Sequence, residues 1–412
     1  MNVKNFPDDL VLPLYDGGSI ANVPGTVAAM LGVTVDGLRP LLPHLWQPIS
    51  ANLKRVVTFI IDGWGWNLLQ KERDTLQPIL SRVQVEGQLT SIFPSTTVAA
   101  LSSLWTGFSP AQHGLIGLNI FMPEYAVTTQ MIAFTPTFGK HPDALVEAGL
   151  IPETFLAVPG FAQQLQAHGI ETHVFKRREL VKTALSQMHG RGVAHDHGAQ
   201  TVADMVVQMR QLLESRPGEQ MYLSGYWSKV DVLEHDYGWD KPSVAAELRA
   251  VCHLIETEFL QSLSKEARRD TAVFIVADHG QTNTPPDMHV YLDDHPQLQQ
   301  MLLMRPSGEP RVPYFHAKHG RIQDIIQYLN THLAEQMIAL DARQALEDGL
   351  FGPQPHAPKA AERIGDVVGI MRQGYAFLTP PERKKAHKML GRHGSLTKDE
   401  MIVPWLGMRL DA

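Results

Sequence analysis

The sequence predicts an α/β protein with a mostly parallel central sheet, helices on both faces and a smaller α+β insertion. Three observations carry that expectation. Short apolar runs of strand length recur between helical segments, as strands buried on both faces require. Several of these runs end at a polar residue, where open α/β sheets place their sites. From about Pro285 to Leu390 the pattern breaks into shorter, Pro-punctuated pieces. A length of 412 residues also exceeds what one compact core usually holds, so a large domain with an inserted second one is expected.

In chain order, Arg55 to Ile61, Gln88 to Phe93, Glu171 to Phe175, Gln220 to Gly225 and Thr271 to Ala277 read as buried strands. The small and apolar residues from Val98 to Trp105 read as a buried helix. Val202 to Leu213 and Val244 to Leu263 carry apolar residues at helical spacing. In the later part, His289 to Leu292, Met301 to Met304 and Arg311 to Phe315 look like short strands, the last two split by Pro306-Ser307-Gly308. Arg321 to Leu340 looks helical, a Pro-rich stretch from Phe351 to Pro358 follows, and Val367 to Met371 reads as a further strand. The division expected is a core from residues 1–284 and 391–412 around an insertion at 285–390.

Composition narrows the function. A formal net charge of −7 without a basic cluster argues against binding polymeric nucleic acid, while small phosphorylated substrates fit. The single cysteine, Cys252, excludes an intramolecular disulfide and any Cys-based metal cluster, and its apolar neighbours make it a core thiol. The N-terminus carries acids and prolines where a signal peptide needs a basic start and an apolar run. No stretch approaches the roughly 18 apolar residues of a membrane span, so a soluble, cytoplasmic protein is expected. Nothing in the sequence fixes an oligomeric state.

The chemistry-bearing residues lie at element ends. Thr97, in Phe93-Pro94-Ser95-Thr96-Thr97, falls at a strand-to-helix junction, where unpaired N–H groups and the helix dipole favour a phosphate. Asp62 follows the strand Arg55 to Ile61 and precedes Gly63; alone it is a common turn signal. Asp278 and His279 end the strand Thr271 to Ala277 as two adjacent ligand types. Asp231 and His235 stand at i and i+4, on one face of a helix. His393 sits among glycines near the C-terminus. Hard oxygen and imidazole ligands of this kind suit Zn²⁺ best, with Mn²⁺ or Fe compatible by ligand type.

In order and context these motifs resemble the nucleotide pyrophosphatase/phosphodiesterases of the alkaline phosphatase superfamily. The resemblance rests on Asp62, the Phe93-Pro94-x-x-Thr97 block with Thr106-Gly107 and His113-Gly114, Asp231-x-x-x-His235, Asp278-His279-Gly280 and His393-Gly394. It implies an alkaline-phosphatase-like core with a cap-like insertion and two zinc ions. Asp231, His235 and His393 would hold one ion, and Asp62, Asp278, His279 and the Thr97 oxygen the other. Thr97 would be the nucleophile, activated by metal, and would pass through a covalent phosphothreonine. Family members place an Asn soon after the His-Gly motif to bind the phosphoryl oxygen; Asn119 stands about one residue later than that pattern. The substrates implied are nucleotide-like small molecules cleaved at a phosphodiester or pyrophosphate bond.

Charge counting favours a diester. Three aspartates and a threonine alkoxide are cancelled by two Zn²⁺, leaving one excess negative charge with a diester and two with a monoester. Within the ligand motifs the one arginine is Arg392. Rival readings are a monoesterase, sulfatase or phosphonate hydrolase of the same superfamily, a metal-dependent phosphoglycerate mutase, which normally uses serine, and a metal-binding module without turnover. Taken singly, Thr97 is an N-cap, Asp231 and His235 an exposed polar pair and His393 a loop histidine. His195-Asp196-His197 reads as a solvated loop, His113 as a support for the loop after the Thr97 helix, and Trp64, Trp66 and Trp227 as core or pocket wall.

Overall fold

The computed structural model describes residues 6–411. Seven strands form the main sheet in the order Val85–Thr90, Ile402–Arg409, Thr271–Val276, Arg55–Ile61, Met221–Trp227, Glu171–Arg177 and His195–Ala199. The last five run parallel; the C-terminal strand Ile402–Arg409 lies antiparallel to both its neighbours. All residues of Arg55–Ile61, Met221–Trp227 and Thr271–Val276 are buried, because the sheet is covered on both faces. Helices Val202–Ser215 and Pro242–Leu254 contribute their apolar stripes to this core, which includes Cys252.

A second seven-stranded sheet is ordered Met337–Asp341, Val367–Met371, Val312–Phe315, Ser307–Glu309, Asn119–Met122, Val127–Gln130 and Thr135–Pro136. Its last three strands come from the segment after the Thr97 helix. The smaller lobe is therefore assembled from two stretches of chain, not from residues 285–390 alone. The joining contact is Gly308 against Asn119, and strands this short carry too little alternation to announce a shared sheet.

Other local differences have local causes. Met301 ends a helix, Pro296–Met301, with Pro at its first position, so no strand forms over Met301 to Met304; Leu302 makes a single bridge to Ala317. The expected helix from Arg321 to Leu340 stops at His332, and Met337–Asp341 becomes a buried strand. Asn330 clamps the two, its amide exchanging hydrogen bonds of 3.1 Å with the Ala339 backbone. His195–Ala199 is an edge strand and not a loop; its register sets His195 beside His173 and His197 beside Phe175, whose rings stack at 4.3 Å. No helix among the described residues is long and apolar enough to cross a membrane.

Candidate active site

Three adjacent parallel strands deliver the acidic residues. Asp62 follows Arg55–Ile61, Asp278 and His279 follow the neighbouring Thr271–Val276, and Met221–Trp227 on the other side leads into the helix Lys229–Tyr237 that carries Asp231 and His235. The strand ends are in register, Ile61 opposite Trp227 and Ile60 opposite Val276, so the side chains beyond them converge. Gly63 is required by both backbone and space. Its φ is +80°, and a Cβ there would stand 2.6 Å from Glu234 Oε2 and 2.9 Å from Asp231 Cα.

His393 arrives from the far end of the chain. The short strand Gly391–Arg392 pairs with Thr282–Asn283, just past His279, and Ser95 bridges Gly394. That places His393 beside the start of the helix Thr97–Thr106.

The side chains gather into two groups. In each of Asp231–His235–His393 and Asp62–Asp278–His279, one potential ligand atom per residue lies within 4.8 Å of the others. His279 Nε2 stands 3.5 Å from Asp62 Oδ1, 3.4 Å from Asp278 Oδ2 and 3.0 Å from the Thr97 hydroxyl oxygen. In the other group, Asp231 Oδ1 is 3.4 Å from His235 Nε2 and 3.7 Å from His393 Nε2. The groups abut, with the rings of His279 and His393 stacked at 3.7 Å.

Each histidine turns the same atom inward. Nδ1 lies against a backbone carbonyl in all three: His235 with Gly391 at 2.8 Å, His279 with Gly280 at 3.1 Å and His393 with Ser95 at 2.9 Å. A carbonyl only accepts, so Nδ1 carries the proton and Nε2 presents a lone pair, the tautomer a metal ligand needs. Asp62 Oδ1 and Asp278 Oδ2 are buried without a hydrogen-bond partner. Tyr226 donates its hydroxyl to the other Asp62 oxygen.

Burial and the negative charge of Asp278 and Asp231 push Asp62 well above the usual carboxylate range, and burial likewise raises Asp278. Burial and the nearby His279 and His235 hold His393 well below the ordinary histidine value. Crowded carboxylates, orphaned oxygens and free Nε2 atoms fit a pair of divalent cations, since each orphaned oxygen is costly without one.

Thr97 opens its helix, and the cap residue Thr96 makes no side-chain capping bond. Glu309, a buried carboxyl of the second sheet whose Oε1 has no hydrogen-bond partner, stands beside Thr96, and an uncapped helix start of this kind is where a phosphoryl oxygen binds. Asn119 is not brought into either group. It lies in the second sheet, and its Nδ2 donates to the Gly308 carbonyl at 3.0 Å. His113 is a support: its Nδ1 accepts from the Leu115 N–H at 3.1 Å and its Nε2 lies 3.2 Å from Ser103 Oγ, with burial lowering its pKa to about 3.

A family model described as type I phosphodiesterase / nucleotide pyrophosphatase matches residues 56–396, which spans every ligand named above. The chain belongs to that family. Among solved structures, this phosphodiesterase/pyrophosphatase family member is similar to murine ectonucleotide pyrophosphatase/phosphodiesterase 5, with a TM-score of 0.64, 17% identity and coverage of 86% of this chain and 87% of that one. An inactive variant of that murine protein, solved with AMP, matches at the same TM-score, 0.64, and 17% identity, over 86% of this chain and 88% of its own. Phosphonoacetate hydrolase from Sinorhizobium meliloti 1021, solved with phosphonoformate, gives 0.63 and 19%, covering 86% of this chain and 90% of its own. At these identities the structures speak for the fold alone. No curated protein matches the chain in sequence.

Tyr226, Glu234 and Glu309 complete the site and were not singled out in the sequence. Glu234 sits inside the Asp-x-x-x-His motif with both carboxyl oxygens buried and unpartnered, and burial with Asp231 and Asp278 nearby pushes it well above the carboxylate range. The helical spacing that pairs Asp231 with His235 marks a neighbouring face for Glu234, which offered a weak signal. Tyr226 and Glu309 read locally as a strand residue and an insertion residue.

Proposed function

We propose that the protein is a two-zinc hydrolase of phosphodiester or pyrophosphate bonds in small organic molecules, with Thr97 as nucleophile. The observation that carries this reading is the Thr97 hydroxyl at an uncapped helix start, 3.0 Å from a histidine of one ligand group and beside the second. Asp62, Asp278 and His279 would hold one ion with the Thr97 oxygen, and Asp231, His235 and His393 the other. Bound there, the ions would supply the positive charge that lowers the hydroxyl's pKa and offsets charge on the phosphoryl group.

Thr97 Oγ1 forms a bond to phosphorus as the bond to the leaving oxygen breaks, and the leaving group departs with a proton. Water then cleaves the phosphothreonine, releasing the second product and restoring the hydroxyl. The N–H groups of the helix start donate to the phosphoryl oxygens during both steps. Tyr226 keeps one Asp62 oxygen engaged and leaves the other facing His279.

The diester preference follows from charge. Of the cavity-lining cations beside Thr97, Arg177 is bonded to Ser228 and Glu179 and Lys176 to Asp196 and Ser186, so neither is free to offset the second charge of a monoester.

Thr97→Ala is expected to retain two zinc ions per chain by elemental analysis while turnover of bis-p-nitrophenyl phosphate falls at least a thousandfold, the order expected when a nucleophile is removed. Undiminished turnover in that variant would refute the mechanism. Faster hydrolysis of p-nitrophenyl phosphate than of the diester would refute the substrate preference, and phosphonoacetate and sulfate esters complete the panel.

A further inference from the structure

We infer that the cavity beside Thr97 binds an apolar alkyl or aryl substituent of the phosphoester, so that the organic group and not a polar sugar sets specificity. The inference rests on the phosphodiesterase reading, because it concerns the substrate of the same site.

The cavity has a volume of about 400 Å³, within the range of small-molecule sites. Asp62, Thr97 and Asp231 form part of its wall, so whatever fills it is attached to the reacting phosphoryl group or abuts it. From Thr97 the cavity follows one face of the helix Thr97–Thr106, past Leu101 and Trp105 at successive turns, a run of roughly 12 Å by helical rise. Val174, Leu185 and Val193 face it from the sheet edge and the next helix.

Away from Thr97 and the ligand groups, the charged and imidazole side chains in the wall are already hydrogen-bonded within the protein. Lys176 Nζ contacts Asp196 at 2.9 Å and Ser186 at 3.0 Å. His189 Nε2 is 2.9 Å from Ser102 Oγ, which gives its own proton to the Val98 carbonyl, so the histidine is the donor in that pair. Arg177 is held by Ser228 and Glu179. A hydroxyl-rich substituent next to phosphorus would bring donors and acceptors to a wall whose own polar groups are engaged, leaving polar atoms without partners on desolvation.

The rim is apolar as well. Ile132 and Val232 line the cavity and remain 48% and 37% exposed, and Phe138, in the same loop as Ile132, is 80% exposed. Large side chains left in water at a cavity mouth mark a surface that an apolar ligand covers.

The test compares the methyl, butyl and octyl p-nitrophenyl phosphodiesters with thymidine 5′-(p-nitrophenyl phosphate) on the zinc-loaded protein. Each buried methylene should raise kcat/KM about fourfold until the cavity is full, through KM, and the octyl ester should exceed the thymidine ester. Ile132→Asp should compress the octyl-to-methyl ratio. Equal rates for methyl and octyl esters, or a thymidine ester that is the best substrate, would overturn the inference. Binding provides a readout apart from turnover: octylphosphonate should change the fluorescence of Trp105 where methylphosphonate does not, a signal absent in Trp105→Phe. If no diester is turned over but that signal is present, the phosphodiesterase reading fails and the pocket stands; if the signal is absent, the pocket fails whatever the turnover.

Discussion

Glu309 shows how much a single buried carboxyl can do here. It is 6% exposed, stands beside Thr96 and the Leu118 backbone with Oε1 lacking a hydrogen-bond partner, and lies against Gly394, next to His393. Burial pushes its pKa up to about 8 against an ordinary 4.5, so at neutral pH it holds its proton. The folded state then binds more protons than the unfolded chain between those two values, and stability falls as pH rises through the window, by roughly 5 kcal/mol over its full width. Glu309→Gln, which mimics the protonated acid, should match the native protein near pH 5 and exceed it in urea unfolding at pH 9; equal stability at both would show that the carboxyl is not neutral in the fold. The metal-ligand residues were legible because each sits in a local signal: an acid at a strand end, an i, i+4 pair, a His between glycines. Glu309 and Tyr226 were not, since their roles exist where separate segments meet. Asn119, one residue off the motif spacing, lies in the second sheet, where its Nδ2 donates to the Gly308 carbonyl.

At the scale of elements, the Thr97 helix depends on its neighbours for its open end. Thr96 makes no capping bond and has the Glu309 carboxyl of the second sheet beside it, and His393 Nδ1 bonds the Ser95 carbonyl in the same turn. The turn that carries Glu309 is anchored two residues on, where Arg311 forms a bidentate pair with Glu400 at 2.9 and 2.7 Å, both side chains fully buried. Glu400 also accepts from the Ser395 N–H at 3.0 Å and from Thr397, so one ion pair ties the second sheet to the His393 segment. Arg311→Met leaves Glu400 buried and unpaired and should cost about 3–5 kcal/mol in urea unfolding, while Arg311→Met with Glu400→Met should recover much of it. A double variant no more stable than the single one would show that the pair adds net stability beyond filling space. The four central parallel strands of the main sheet were readable from continuous apolar runs, with Arg55–Ile61 matching to the residue, whereas Val85–Thr90 lies three residues before the expected Gln88 to Phe93, and the polar edge strand His195–Ala199 and the C-terminal Ile402–Arg409 were not read as strands. Those of the second sheet were not, because its strands are of two to five residues and its partners lie far apart in sequence.

For the whole molecule, the fold and the proposed metal load are linked. Three parallel strands and two distant segments bring three aspartates and three histidines into one buried volume, and the chain offers no cation among them. Without metal, burial first, and neighbouring carboxylates second, favour the protonated acids, which is why Asp62 and Asp278 are raised. A carboxylate whose folded pKa is raised favours folding below its unfolded value and loses that contribution as pH climbs, so the metal-free protein should weaken from acid toward neutral pH. Divalent ions need deprotonated ligands and bind the folded state alone, so their stabilisation should grow over the same range, reaching about 4 kcal/mol where free metal is a thousand times its Kd. Thermal unfolding with zinc and with EDTA should therefore diverge as pH rises from 5.5 to 8, by several degrees for a chain of this size. Asp278→Asn, which removes one ligand charge from the more buried group, should shrink that divergence. Identical Tm values with zinc and EDTA at pH 8 would show that these residues are held together by packing alone and hold no ion.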